Sequence, residues 1–301
     1  MLVPPALRAG DLVAVVAPST PFDAERYRRG EAWLASRYRG RVRDDLLVRQ
    51  GFLAGDDARR LAELNDALHD PEVRAIVAAR GGYGATRIVD AVDWAALRAS
   101  PKWMVGFSDV TALHVEATAV GVASMHAPMV AWLGDCDEPS RERVRAALEE
   151  GRLPPWNHLQ AVRAGNATGP AFGGNLALLE ACAAAGRLRV PRGAILFLED
   201  CTERPYRLDR MLTALRSGGH LSQLAGVVVG DLVDCKPGPD GVTAEEVFRE
   251  RLSALGVPLV MGAPFGHGER NDPFIIGGSV TVEAEGSASR VSFSERTPQK
   301  A

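Results

Sequence analysis

The sequence predicts an α/β protein: an N-terminal domain on a doubly wound, mostly parallel sheet, followed by a C-terminal α/β domain with short antiparallel strands. Three features predict it. Short apolar runs such as residues 12–17 (Leu-Val-Ala-Val-Val-Ala) suit strands covered on both faces. Such runs alternate with stretches of helical period, the pattern of right-handed βαβ crossovers. The chain's 301 residues exceed the size at which one core keeps growing, and the alternation lapses between Asp135 and Gly169.

Taken in order, residues 12–17 are the first strand and 23–36 a polar, helix-compatible stretch. Residues 42–48 read as a second, weaker strand. Residues 56–68 read as a helix with Leu61, Leu64 and Leu68 on one face. A strand is expected at 75–79, a short helix at 85–92, a strand at 103–107 and a helix at 109–120. Residues 139–150 read as an amphipathic helix that Pro154 and Pro155 close off. The expected domains are therefore 1–150 and 169–301, joined by a linker over 151–168. In the second domain Gly173-Gly174-Asn175 opens a helix to 185, and 194–198 is a buried strand. Pro205 starts a helix to 217, where its missing N–H costs nothing. A strand at 226–232 and a helix at 244–255 follow. Residues 274–293, rich in Gly and Val with alternating polarity, read as short antiparallel strands.

Composition excludes several classes of function. With 35 Lys+Arg against 38 Asp+Glu, the net charge of −3 provides no basic face for nucleic acid or an anionic membrane. No apolar run approaches the roughly 20 residues that span a bilayer, and residues 1–8 lack the pattern of a secretory leader. Cys136, Cys182, Cys201 and Cys235 form no CxxC pair, which argues against structural zinc and for free thiols in a reducing cytoplasm.

Four segments carry chemistry at strand ends, where open α/β sheets hold their sites. In Val105-Gly106-Phe107-Ser108-Asp109, a serine stands where a strand turns into a helix. It is either a helix N-cap or a nucleophile with the next N–H aimed at a developing oxyanion. Glu199 and Asp200 close an apolar strand, an expensive place for carboxylates unless they are paired. Glu199 either orients a histidine, as the third member of a triad does, or pairs with Arg204 or Arg207. His267, between Gly266 and Gly268, is accessible in its loop, whereas His69, His158 and His220 read as structural. Gly81-Gly82-Tyr83-Gly84 is a tight turn, an anion nest or an oxyanion donor. It is a poor dinucleotide fingerprint, being neither G-x-G-x-x-G nor after the first strand.

The chain order Ser108, Glu199, His267 matches the serine–acid–histidine order of one convergent triad class. Seven segments in sequence then resemble the LD-carboxypeptidases of the serine peptidase type, which include muramoyltetrapeptide carboxypeptidases and microcin C immunity peptidases. They are residues 10–19, 79–84, 106–114, 126–129, 173–176, 198–210 (with Glu199-Asp200 and Pro205-Tyr206-Arg207-Leu208-Asp209-Arg210) and 264–267. The resemblance implies an N-terminal domain carrying the nucleophile Ser108 and a C-terminal domain carrying Glu199 and His267. It also implies a cytoplasmic homodimer acting on small peptides in cell-wall recycling, with no metal or other cofactor.

The expected reaction is hydrolysis of an L,D amide at the C-terminus of a murein tetrapeptide. The N–H groups of Gly82 and Asp109 are expected to bind the oxyanion. An exopeptidase must also hold a terminal carboxylate, for which arginine is suited. Arg80, Arg204, Arg207 and Arg270 lie near the motifs, and Tyr83 stands beside the glycine turn. Two rival readings remain at this level. One is a peptidase acting on peptidyl-nucleotides; the other is a non-catalytic α/β ligand-binding protein.

Overall fold

The computed structural model describes residues 1–294, which divide into two compact units. The first comprises residues 1–152 with 272–275, and the second residues 153–271 with those from 276 on. Residues 295–301, assigned above to the second domain, lie outside the described residues.

The first unit runs β1 (Leu12–Val16), α1 (Ala24–Ala35), β2 (Arg39–Arg41), α2 (Asp57–His69), β3 (Val73–Ala78), α3 (Ala85–Ile88) and α4 (Trp94–Ala99). It continues with β4 (Trp103–Gly106), α5 (Thr111–Ala119), β5 (Ser124–His126), α6 (Val130–Leu133) and α7 (Glu138–Glu149). Aspartates set four of the helix starts: Asp23, Asp56, Asp93 and Asp137 each accept a backbone N–H three residues on. The second unit adds β6 (Trp156–Arg163), β7 (Gly165–Asn175), α8 (Leu176–Ala184), β8 (Ile195–Cys201), α9 (Pro205–Ser217), β9 (Gly226–Val233), α10 (Ala244–Ser253) and β10 (Leu259–Met261). Three strands close the described chain: β11 (Phe274–Ile276), β12 (Ser279–Ala284) and β13 (Ser289–Phe293).

The first unit's sheet has the order β11-β5-β4-β3-β1-β2. The pairs β2–β1, β1–β3, β3–β4 and β4–β5 are all parallel, as the apolar runs predict. Strand β2 lies at 39–41, not at 42–48. There Arg43 pairs with Asp45 (2.9 Å), and Leu46 and Val48 donate to carbonyls three residues back, so the local charges favour turns. The second unit closes into a barrel, β10-β6-β13-β12-β7-β8-β9. Strands β7, β8, β9 and β10 pair in parallel, and the remaining pairs are antiparallel. Inside it Trp156 stacks on Phe265 (centroids 5.6 Å) and meets Phe293 edge-on (4.9 Å), while Phe197 packs on Phe265 (5.5 Å).

Two expectations are corrected. Residues 156–168, read as linker, are barrel strand; the prolines at 154 and 155 stop α7's continuation but leave the following residues free to pair. Residues 274–276 pair in the first unit's sheet, because Phe274 stacks on His126 of β5 (4.6 Å); only β12 and β13 form the expected antiparallel ribbon.

Candidate active site

In the first unit, β4 delivers the chain to Phe107, which is extended, and Ser108 then takes φ +61°. A left-handed serine costs on the order of 1–3 kcal/mol, and here it makes a sharp strand-to-helix turn, the backbone form that a nucleophile elbow also takes. The N-cap alternative does not hold: Phe107 occupies that position and no side chain caps the short 3₁₀ turn (Ser108–Val110) leading into α5.

The turn is fastened from below. His114 Nε2 donates to the Gly106 carbonyl (2.9 Å), so its Nδ1 accepts from the Ser124 hydroxyl (2.9 Å). Buried Asp109 accepts the Ser19 hydroxyl (2.6 Å) and the Ala85 N–H (2.8 Å) on one oxygen, which ties the loops after β1 and β3 to the Ser108 turn. Burial raises its carboxyl above the usual range. The glycine turn lies directly against Ser108. A Cβ at Gly81 would stand 3.0 Å from Ser108 Cβ and 3.3 Å from the Asp109 nitrogen. Gly82 has φ +108°, and a Cβ there would fall 2.7 Å from Thr20 Cγ2. Thr20 fixes this turn by donating its hydroxyl to the Gly81 carbonyl (2.7 Å).

In the second unit, Glu199 and Cys201 alternate with Phe197 on one face of β8, so the carboxylate sits one step beyond the barrel's aromatic filling. Glu199 is fully buried and accepts from His267 Nδ1 at 2.6 Å. A carboxylate can only accept, so this bond fixes the ring with Nε2 pointing away. Burial pulls the His267 pKa down, but hydrogen bonds to Cys201 and Glu199 and the charge of Glu199 outweigh it and push the ring up to about 10. Asp200 points the other way: it accepts the N–H of Ala177 in α8's first turn (2.9 Å) and that of Cys201 (2.7 Å). Its burial, with Glu199's charge beside it, lifts its carboxyl to about 7.

The remaining candidates have other contacts. Arg80 donates to the Pro21 carbonyl (2.8 Å) and Arg204 to that of Pro237 (3.0 Å). Arg207 pairs with Glu203 (2.8 Å), so neither Arg204 nor Arg207 is the partner of Glu199. Arg270 is exposed, and Tyr83 is 47% exposed with its ring 5.7 Å from that of Phe52. Among the described residues, no group of three or more His, Cys, Asp or Glu is disposed to hold a metal ion. Sequence reasoning missed Asp231, which faces Glu199 and His267 and whose carboxyl is raised by burial. The signal that selected Glu199, a carboxylate ending an apolar strand, is present there too.

The comparisons with known proteins cover the same segments. Residues 13–127 match the model of the LD-carboxypeptidase N-terminal domain, and residues 168–282 that of the LD-carboxypeptidase C-terminal domain. The murein tetrapeptide carboxypeptidase of Pseudomonas aeruginosa is 33% identical over 250 residues, covering 78% of this chain and 81% of its own. The crystal structure of muramoyltetrapeptide carboxypeptidase from Oxalobacter formigenes aligns with TM-score 0.83 at 26% identity, over 96% of this chain and all of that one. The microcin C7 self immunity protein MccF aligns over 98% of both chains with TM-score 0.87 at 18% identity, a likeness of fold alone. With an elbow serine in the unit matched by one model and a histidine–carboxylate pair in the unit matched by the other, the chain belongs to the LD-carboxypeptidase family of peptidases.

Proposed function

We propose that the protein is a serine carboxypeptidase that hydrolyses the L,D amide at the C-terminus of a murein tetrapeptide, releasing the terminal D-alanine for cell-wall recycling. Ser108 is the nucleophile, His267 the general base and acid, and Glu199 the residue that orients the ring. The observation that carries this is the buried Glu199 carboxylate on His267 Nδ1 (2.6 Å), an arrangement with little structural purpose unless Nε2 has work to do. The relative in Pseudomonas aeruginosa supports the choice of substrate by its name.

As Ser108 Oγ bonds to the scissile carbonyl carbon, its proton passes to His267 Nε2. Glu199 stabilises the imidazolium so formed. The N–H groups of Gly82 and Asp109 receive the negative oxygen; losing one such donor costs on the order of 10²–10³ in turnover. Collapse breaks the C–N bond, and the same proton goes to the departing amine. Water, deprotonated by His267, then cleaves the acyl-serine and restores the enzyme. Arg80, Arg204, Arg207 and Arg270 supply the candidates for holding the terminal carboxylate, with Tyr83 beside the glycine turn. A cytoplasmic homodimer completes the proposal; four free cysteines fit a reducing compartment.

Incubation with a murein tetrapeptide, followed by mass spectrometry, is expected to show loss of one D-alanine with wild type and almost none with folded Ser108→Ala. Undiminished release by Ser108→Ala removes the serine from its role. Cleavage of a peptidyl-nucleotide but not of the tetrapeptide reassigns the substrate.

A further inference from the structure

His267 sits in a loop of irregular backbone, yet its ring must stay on Glu199 for either to function. Two side-chain oxygens hold the backbone on either side of it. The Gly266 N–H donates to Asn271 Oδ1 (3.0 Å), and the Gly268 N–H donates to Asp231 Oδ2 (3.0 Å). Asp231 lies where β9 takes three steps, from Val229 to Leu232, against two on β8, from Leu198 to Asp200. An extra residue of this kind turns a side chain out of the regular alternation, and such bulges gather beside active sites.

The fit is close enough to explain the glycines. A Cβ at Gly268 would fall 2.7 Å from Asp231 Cγ. One at Gly266, whose φ is +121°, would stand 3.0 Å from Glu199 Cβ and 3.3 Å from Asp231 Cβ. The space a side chain would need next to His267 is thus filled by the two carboxylate-bearing side chains. Glu199 holds the ring itself; Asp231 holds the backbone that follows it.

We infer that Asp231 is a positioning residue for the hydrolysis, its carboxylate fixing the loop after His267 so that Nδ1 remains on Glu199 and the ring keeps its orientation. The inference rests on the proposed role of His267. It assigns Asp231 no contact with substrate.

The test uses the full-length enzyme and D-alanine release from the tetrapeptide, with melting curves to confirm folding. Asp231→Ala is expected to lower kcat by roughly 10- to 100-fold with KM little changed, since a displacement of about 1 Å can cost that much. Asp231→Asn, whose amide oxygen still accepts from Gly268, is expected to recover most of the loss. Gly268→Ala is expected to be as slow as Asp231→Ala, and the double variant no slower than Asp231→Ala alone, because removing the carboxylate makes room for the methyl group. Asp231→Ser, too short to reach the amide, replaces the alanine variant should that one not fold. Wild-type kcat in the folded Ala or Ser variant, or an Asn variant as slow as either, overturns the inference. Ser108→Ala in the same assay keeps the two claims apart: its full activity would refute the proposed site, whatever Asp231 does.

Discussion

His267 and His114 show what different buried surroundings do to two imidazoles. His267 has a carboxylate on Nδ1, and its pKa is raised. That pair's contribution to stability is complete below the ordinary imidazole value of about 6.5 and fades as pH rises through the folded-state value. Catalysis needs the opposite form, the neutral ring, so kcat/KM is expected to climb with pH along a limb lying above 6.5. Glu199→Gln removes the charge that holds the proton, which moves this limb to lower pH. It also presents the wrong partner to Nδ1, with an expected cost on the order of 10⁴ in kcat, as for the same change in a serine protease triad. A pH profile of kcat/KM for both proteins checks both effects, and an unmoved limb counts against the assignment. His114 is fully buried among neutral partners, and desolvation lowers its pKa to about 4. Its folded value lies below the unfolded one, so stability is present above about 6.5 and is lost as pH falls toward 4, by on the order of 3 kcal/mol. His114→Gln, which does not titrate, is expected to flatten that part of the pH dependence in urea unfolding. An unchanged slope refutes the reading.

Among the elements, the glycine turn after β3 and the serine turn after β4 meet as parts of one device. Gly81→Ala places a methyl group against Ser108 Cβ, and something must give by a few tenths of an ångström. Turnover is expected to drop on the order of 10- to 100-fold while the melting temperature moves little, since strand β3 and its register remain untouched. Full turnover in this variant would show that the two turns are not coupled. Strands β1, β3 and β4 were legible because they are continuous apolar runs between helices, whereas β5, Ser124-Met125-His126, carries no such run. Strand β2 was not, since Arg39-Gly40-Arg41 has no apolar signal and owes its pairing to its neighbour β1. Strand β6 was hidden by prolines at 154 and 155 and by alternation that weakens where it leaves the barrel's aromatic centre at Trp156. The helix start at Asn175 was read correctly: Asn175 accepts the Leu178 N–H (3.2 Å). The second clasp on that helix, from Asp200, joins residues 23 apart and leaves no local trace.

For the molecule as a whole, the α/β character was legible, but the closed barrel was not. Closure is set by pairings such as β13 with β6 and β10 with β6, between segments more than ninety residues apart. Chain order singled out Ser108 and Glu199 at strand ends and His267 between two glycines in a loop. Asp231 stands like Glu199 toward the end of an apolar strand, with no local mark of its contact at Gly268, 37 residues on. The central claim is that the serine of one unit and the histidine–carboxylate pair of the other act as a single catalytic group. Residues that work as a unit are strongly non-additive: removing a second member costs little once the first is gone. The most direct test is kcat for Ser108→Ala, His267→Ala and the double variant on the tetrapeptide. The account predicts three similar, nearly abolished rates. Losses that multiply in the double variant would contradict it.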